Sequence, residues 1–316
     1  MPLPRRNAFS LQLPRRTLSL GNRTLVMGIL NVTPDSFSEQ GRYLDRKAAV
    51  ARGLEIGREG ADLVDIGGES TRPGALPVDL EEELDRTIPV IEALRAKGLR
   101  IPISIDTYKA PVAERAIEAG AEIVNDVSGL RFDNSMGTTV AQSRAAIVLM
   151  HMRGTPRTMQ QLRPARNIVP IVRRSLLGAL RRALRAGIQK RKVMLDPGIG
   201  FGKTAGQNFE ILNALHRFAT LGCPILAGPS RKSFIQATVA DLSVARAGKL
   251  KQRANDAKRH AFPAPEELFF GTAAAVTAAI LRGAHIVRLH DVRQMLPVVR
   301  VADQILVAGS GGAASK

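Results

Sequence analysis

Eight times along this chain a short apolar run ends in polar residues and gives way to a longer stretch with helical spacing. The runs are Leu25–Leu30, Leu63–Ile66, Ile101–Ile105, Ile123–Val127, Ala146–Met150, Val193–Leu195, Pro224–Ala227 and Ile286–Leu289. Short, near-continuous apolar runs bounded by turn residues read as parallel strands buried on both faces. Amphipathic helical patterns fill the gaps at roughly 46–59, 80–97, 109–119, 135–143, 170–187, 207–220, 266–282 and 292–307. Strand and helix in alternation build a parallel sheet, and eight such units are the count of a (β/α)8 barrel. An open doubly wound sheet carries GxGxxG after its first strand, and that motif is absent after Leu30. The expected fold class is α/β, a (β/α)8 TIM barrel.

Ahead of the first run, Gly21-Asn22 sits as a turn between Thr17–Leu20 and Thr24–Val26, which predicts a short hairpin there. The expected organisation is an extension and hairpin over 1–24, one barrel over 25–308 and a frayed tail over 309–316. No apolar run reaches the roughly 18 residues a membrane span needs. The first sixteen residues are basic but lack the apolar core of a secretory signal, although their composition is compatible with an organelle transit peptide. A single cysteine, Cys223, excludes an internal disulfide and a cysteine-based metal cluster, so a reducing cytoplasm is the expected location.

The net charge of +18 is the anomaly in composition. Ten Lys or Arg and no Asp or Glu lie between Leu162 and Val193. There Val172, Leu176, Leu177, Leu180 and Leu184 form one helix face and Arg174, Arg181, Arg182 and Arg185 the other. No aromatic residues interleave to stack bases, so a solvated face is expected rather than a nucleic-acid site. The basic segment Thr238–Pro265 is long for a loop and predicts an extra helix or partial disorder.

Chemistry collects at the carboxyl ends of the runs, where barrels keep their sites. Those ends carry Asn31, GGESTRPG (67–74), Asp106-Thr107, Asn125-Asp126, His151, DPGIGFGK (196–203), GPSRKS (228–233) and Arg288-Leu289-His290. Thr71, Arg72, Ser230, Arg231, Lys232, Arg288 and His290 are hydroxyls and cations suited to a phosphate or diphosphate. Period-2 alternation puts Arg288 and His290 on one strand face, toward one anion. Asp106, Asn125 and Asp196 are short acceptors able to grip the N–H edge of a flat heterocycle, and a carboxylate beneath such a ring stabilises positive charge developing on it. Phe201 between two glycines suits a loop that covers an aromatic ligand. Thr107 and Asp126 are equally explained as helix caps, and His151 as a buried, satisfied histidine. No HExxH, P-loop, GxSxG elbow or nucleophilic cysteine is present; Asn31 and the carboxylates suit a Mg²⁺ shared with substrate phosphates.

In this order, NVTPDSFS, GGESTRPGA, PISIDT, IVNDVSG, MHMRGTPRTMQ, LDPGIGFGKT, SRKSF and IVRLHDV resemble dihydropteroate synthase, from about Thr17 to the last helix. The resemblance implies a pterin-binding barrel joining (7,8-dihydropterin-6-yl)methyl diphosphate to 4-aminobenzoate, with loss of diphosphate before the amine attacks. It implies Asn31 as ligand of Mg²⁺. It implies Thr71, Asp106, Asn125, Asp196, Lys232 and the strand end Arg288, Leu289 and His290 as pterin diphosphate contacts, Asp106 and Lys232 being catalytic. Asp35, Arg72, Pro73 and Phe201 lie on loops implied to close over 4-aminobenzoate, where sulfonamides compete. A cytoplasmic homodimer is implied as well. Local departures from the family pattern are Glu39-Gln40, Gln207 in place of His, Pro229 and the long 238–265 segment.

Two other readings compete. A pterin-binding methyltransferase on the same barrel needs the Asp and Asn grip but not the cations of SRK and RLH. A nucleic-acid-binding barrel, suggested by the charge alone, would bind with a steep salt dependence.

Overall fold

The structure, a computed structural model, describes residues 6–33, 42–72, 74–247 and 264–309. It opens with β1 (Phe9–Gln12), β2 (Thr17–Leu20), β3 (Leu25–Asn31) and α1 (Arg42–Arg58). There follow β4 (Leu63–Gly67), α2 (Leu80–Ala96), β5 (Ile103–Asp106), α3 (Ala110–Ala119), β6 (Ile123–Asp126), α4 (Met136–Ser143) and β7 (Ala146–Met150). Next come α5 (Ile168–Arg185), β8 (Val193–Asp196), α6 (Ala205–Asn213), α7 (His216–Ala219) and β9 (Leu226–Ala227). The last elements are α8 (Ser233–Ala247), α9 (Pro265–Leu281), β10 (Ile286–Leu289) and α10 (Val292–Gly309).

The strands β3 to β10 pair in parallel in the order β8-β7-β6-β5-β4-β3-β10-β9. A parallel bridge between Leu195 and Ile225 joins the two ends of that sheet and closes the barrel. All eight expected strands are present, most of them within a residue or two of the sequence-based bounds.

Alternation sorts each strand into two faces. Val26, Leu30, Val64, Ile66, Ile103, Ile105, Val124, Ile147, Leu149, Val193, Leu195, Val287 and Leu289 face the helices in the main core. Leu25, Met27, Leu63, Ile123, Ala146, Val148, Met194, Leu226 and Ile286 fill the amino-terminal half of the barrel interior. Stepping two residues further along β4, β6, β8 and β10 reaches Asp65, Asn125, Asp196 and Arg288, and on β5 the same step leads from the buried Ser104 to Asp106. The interior is therefore apolar at its amino end and polar at its carboxyl end.

The hairpin differs from the expected one. β2 pairs antiparallel with β1, Phe9 opposite Leu20 and Gln12 opposite Thr17, not with the chain after Gly21. Both edges of β3 are taken, by β4 and β10. Leu11, Leu13 and Leu20 bury themselves against the apolar end of the interior, so the hairpin stoppers the barrel floor. Gly21, at φ +112°, only turns the chain into β3.

On α5, Val172, Leu176 and Leu180 are buried as expected, but Leu184 is 44% exposed. Arg182, expected at solvent, donates from Nη2 to the Gly129 carbonyl at 2.8 Å. Of the 238–265 segment, residues up to Ala247 continue α8, and 248–263 lie outside the described residues.

Candidate functional site

A cavity of about 600 Å³ opens at the carboxyl ends of the strands. Its lining includes Asn31, Thr71, Arg72, Asp106, Phe201, Ser230, Arg231, Lys232, Arg288 and His290, all expected from the sequence, together with Glu69, Met159 and Gln236.

Arg288 organises its floor. Its Nε donates to Asp65 Oδ2 at 2.6 Å and its Nη2 to Asp106 Oδ2 at 2.8 Å. Asp65 Oδ2 also accepts from Asn125 Nδ2 at 3.0 Å. One guanidinium fork thus ties together carboxylates from β4 and β5, the geometry to which Arg rather than Lys is suited, and Asn125 of β6 joins them by donating to Asp65. Asp65 Oδ1 and Asp106 Oδ1 are buried with no hydrogen-bond partner. Native structures leave few such groups, so these two oxygens are capacity held for something else. Burial raises the Asp106 pKa to about 7, against the lowering influence of Arg288. Burial likewise raises Asp196, whose Oδ1 accepts from the Gly198 N–H at 2.7 Å.

Above this floor, Lys232 Nζ lies 4.1 Å from the Phe201 ring centroid, a cation–π contact. Burial, then the charge of Arg288, lowers its pKa to about 8. His290 was expected as a cation. Burial, followed by Arg288, Arg231 and Lys232, lowers its pKa to about 3, so in the unliganded protein it is a neutral hydrogen-bonding group. Its Nδ1 is 3.0 Å from Ser230 Oγ, which also accepts its backbone N–H at 3.3 Å. So weak a base cannot activate Ser230 as a nucleophile at neutral pH. Arg231 is turned to the rim by a positive φ of 54° and pairs with Asp291, 3.0 Å from Nε to Oδ2.

The glycine-rich stretch after β8 is fastened by Lys203, whose Nζ donates to the carbonyls of His151, Gly198 and Phe201 at 3.2, 2.5 and 3.0 Å. A Cβ on Gly198, at φ +67°, would stand 1.9 Å from the His151 carbonyl oxygen, so only glycine fits. Phe201 is buried with Val127, Met150, Met152 and Met159 while its ring meets the cavity, so it packs and lines at once.

Several expected residues lie elsewhere. Leu289 falls on the helix-facing side of β10 and is fully buried in the main core, so its side chain does not line the cavity. Asn125 and Asp196 are buried beside the cavity rather than lining it, Asn125 connecting through Asp65. Asp126 faces the helices and accepts the N–H groups of Ser128 and Leu130 at 2.7 and 2.6 Å, and Thr107 Oγ1 accepts that of Lys109 at 3.2 Å. Each braces the turn after its strand, whereas the N-cap positions of α3 and α4 fall to Lys109 and Ser135, so neither is the helix cap the sequence suggested. His151 is buried, with Nδ1 unpartnered and its pKa lowered by burial. Gln207 closes a capping box with Thr204 and donates to the Ala165 carbonyl at 2.7 Å. Asp35, Glu39, Gln40 and Pro73 lie outside the described residues. Asp65 was not among the expected residues; its only signal in the sequence is a lone carboxylate inside the apolar run LVDIG.

Asn31 ends β3, half-buried in the lining, and its Oδ1 lies 3.9 Å from where a Cβ on Gly67 would stand. Among the described residues no three His, Cys, Asp or Glu side chains converge on a metal. A Mg²⁺ that takes Asn31 as one oxygen ligand and completes its shell with water and substrate phosphates fits this donor set.

A closed barrel whose mouth pairs buried hydrogen-bond acceptors with a cluster of cations defines a class: an enzyme for a flat, N–H-bearing heterocycle with an anionic tail. A family model described as a pterin binding enzyme matches residues 27–290. The dihydropteroate synthase of Synechocystis is 45% identical over 285 residues, which are 90% of this chain and 91% of that protein. A Xanthomonas albilineans dihydropteroate synthase with 4-aminobenzoic acid superposes at a TM-score of 0.79 with 41% identity, covering 95% of this chain and 98% of that one. Another structure of the X. albilineans synthase, in complex with 7,8-dihydropteroate, gives 0.75 and 40%, covering 94% and 98%. The chain belongs to the dihydropteroate synthase family.

Proposed function

We propose that this chain joins (7,8-dihydropterin-6-yl)methyl diphosphate to 4-aminobenzoate, giving 7,8-dihydropteroate and diphosphate. The observation that carries the reading is a single cavity with an Asp/Asn floor tied by Arg288 and a cationic wall of Lys232, Arg288 and Arg72. Such a site suits departure of an anion from a ring that becomes cationic. The methylene C–O bond breaks with its electron pair leaving on diphosphate. The amine lone pair of 4-aminobenzoate then forms the C–N bond, and one N–H proton is lost.

Asp106 in the lining, backed by Asn125 and Asp196 buried beside the cavity, receives the pterin N–H edge, and the unpartnered Asp106 oxygen faces charge that develops on the ring. Lys232, Arg288, Thr71 and neutral His290 hold the diphosphate. Arg72 and Phe201 meet 4-aminobenzoate. Asn31 would hold a Mg²⁺, which when bound neutralises charge on the leaving group. The reading carries with it a cytoplasmic homodimer without a nucleic-acid partner; among the described residues no helix is long and apolar enough to cross a membrane.

The test is turnover. Purified protein with both substrates and Mg²⁺ is expected to release diphosphate and form dihydropteroate, detected by mass, and EDTA is expected to abolish both. Pterin binding without any product would overturn the reading in favour of a methyltransferase.

The pH profile is a second prediction. If ring binding uses ionised Asp106 and the leaving group protonated Lys232, kcat/KM rises as Asp106 loses its proton near pH 7 and falls as Lys232 does near pH 8. Stability has its own dependence. The raised pKa of Asp106 means the folded chain holds a proton that the unfolded chain has released, so this contribution is present below about pH 4 and lost as pH climbs through about 7. A flat kcat/KM between pH 6 and 9 would remove both groups from the free-enzyme mechanism.

A further inference from the structure

We propose that Lys109 is a positioning residue that sets the loop over residues 68–79, and through it the fit of the amine substrate. The inference rests on the reaction proposed above. Lys109 stands at the start of α3, next after Tyr108 and three residues beyond the floor carboxylate Asp106. Its Nζ makes three short contacts, to Glu69 Oε2 at 2.7 Å, Glu83 Oε2 at 2.5 Å and the Val78 carbonyl at 2.6 Å. Glu69 Oε1 accepts from the Tyr108 hydroxyl at 2.8 Å, and Glu69 Oε2 also accepts the Val78 N–H at 3.3 Å.

This knot joins both ends of the loop. Glu69 lies at its beginning and Val78 at its end, while Glu83 belongs to α2 behind it. Between the two ends the chain presents Thr71 and Arg72 to the cavity. Glu69 and Glu83 are only 7% and 1% exposed, so Lys109 is their counter-charge away from bulk water. Burial works to lower the Lys109 pKa, but the hydrogen bonds and charges of the two glutamates outweigh it and raise it, which keeps the ammonium charged. Buried and charge-assisted, the contacts hold the loop far better than surface pairs would. The pterin substrate has one proposed contact on the loop, Thr71, but keeps its anchors off it, in Asp106, Lys232 and Arg288. The amine's proposed contacts, Arg72 and Phe201, do not include them. Loosening the knot therefore falls mainly on the amine.

The experiment measures both KM values and kcat for Lys109→Met, Lys109→Arg and Tyr108→Phe. Misplacement of about 1 Å at a binding loop costs up to roughly 100-fold. Lys109→Met is expected to raise KM for 4-aminobenzoate at least about tenfold on that scale, with KM for the pterin diphosphate moving less than about threefold. Lys109→Arg, able to span both glutamates, recovers most of the loss. Should Lys109→Met fail to fold, Tyr108→Phe carries the test with a rise of about threefold in the amine KM. An unmoved amine KM in a folded variant, or equal changes in kcat and both KM values, overturns the proposal. Amide hydrogen exchange decides the matter even without turnover: protection lost selectively across 68–79 in Lys109→Met supports it, and an unchanged pattern overturns it.

Discussion

Lys232→Met is expected to lower kcat/KM for the pterin diphosphate by at least about 2 kcal/mol, roughly 30-fold, with the thermal midpoint unchanged or higher. The two halves of this expectation have one cause. Among the described residues no acceptor holds the Lys232 ammonium; it rests against the Phe201 ring and lies close enough to Arg288 for that charge to lower its pKa. Burial and Arg288 outweigh the favourable charges of Asp196 and Asp106, so an ammonium kept there costs the empty protein stability and finds a hydrogen-bonding acceptor only when an anion arrives. Methionine preserves the apolar stem against Phe201 and removes the repulsion. Kinetics and a melting curve on the same preparation check both. Activity near that of the parent would mean the diphosphate is held elsewhere, and a large fall in midpoint would mean the ammonium has a structural partner.

Asp65→Ala is expected to behave in the opposite way, costing about 3–5 kcal/mol of stability as well as pterin binding. Asp65 is fully buried and takes both Arg288 Nε and Asn125 Nδ2. Its loss leaves Arg288 with Asp106 alone and the Asn125 amide without its acceptor. Breaking a buried pair by removing one member is expensive because the other charge stays buried. Urea denaturation gives the stability change through a shift in midpoint at constant slope. Asp65→Asn, which keeps the volume and an acceptor oxygen, is expected to fall between the two. A change under about 1 kcal/mol for Asp65→Ala would show that Asp106 by itself satisfies Arg288.

These contrasting residues show what a linear reading can reach. The barrel was legible because its signal is local and repeated: eight apolar runs, each followed by a helical period, need no tertiary information to be recognised. The cavity's membership was largely legible for the same reason, since parallel strands deliver their carboxyl ends to one rim. Alternation even placed Arg288 and His290 on one face. Leu289, expected beside them as a substrate contact, instead turns its side chain toward the helices, as the same alternation requires.

The protonation state of His290 was not legible. It depends on burial and on Arg288, Arg231 and Lys232, two of which arrive from about 60 positions away in the chain. Asp65 was hidden because a lone carboxylate in an apolar strand acquires meaning only when Arg288, 223 residues away, folds against it. The hairpin partner was misassigned because Gly21-Asn22 is a good turn signal, whereas the available edge and the apolar floor that receive Leu11 and Leu20 are properties of the closed barrel. Residue types and their period determined the fold and which groups stand at its mouth. Only the tertiary structure decided which of those groups are charged, which are paired and which are left with spare hydrogen-bonding capacity, because desolvation and long-range pairing do not exist until distant strands meet.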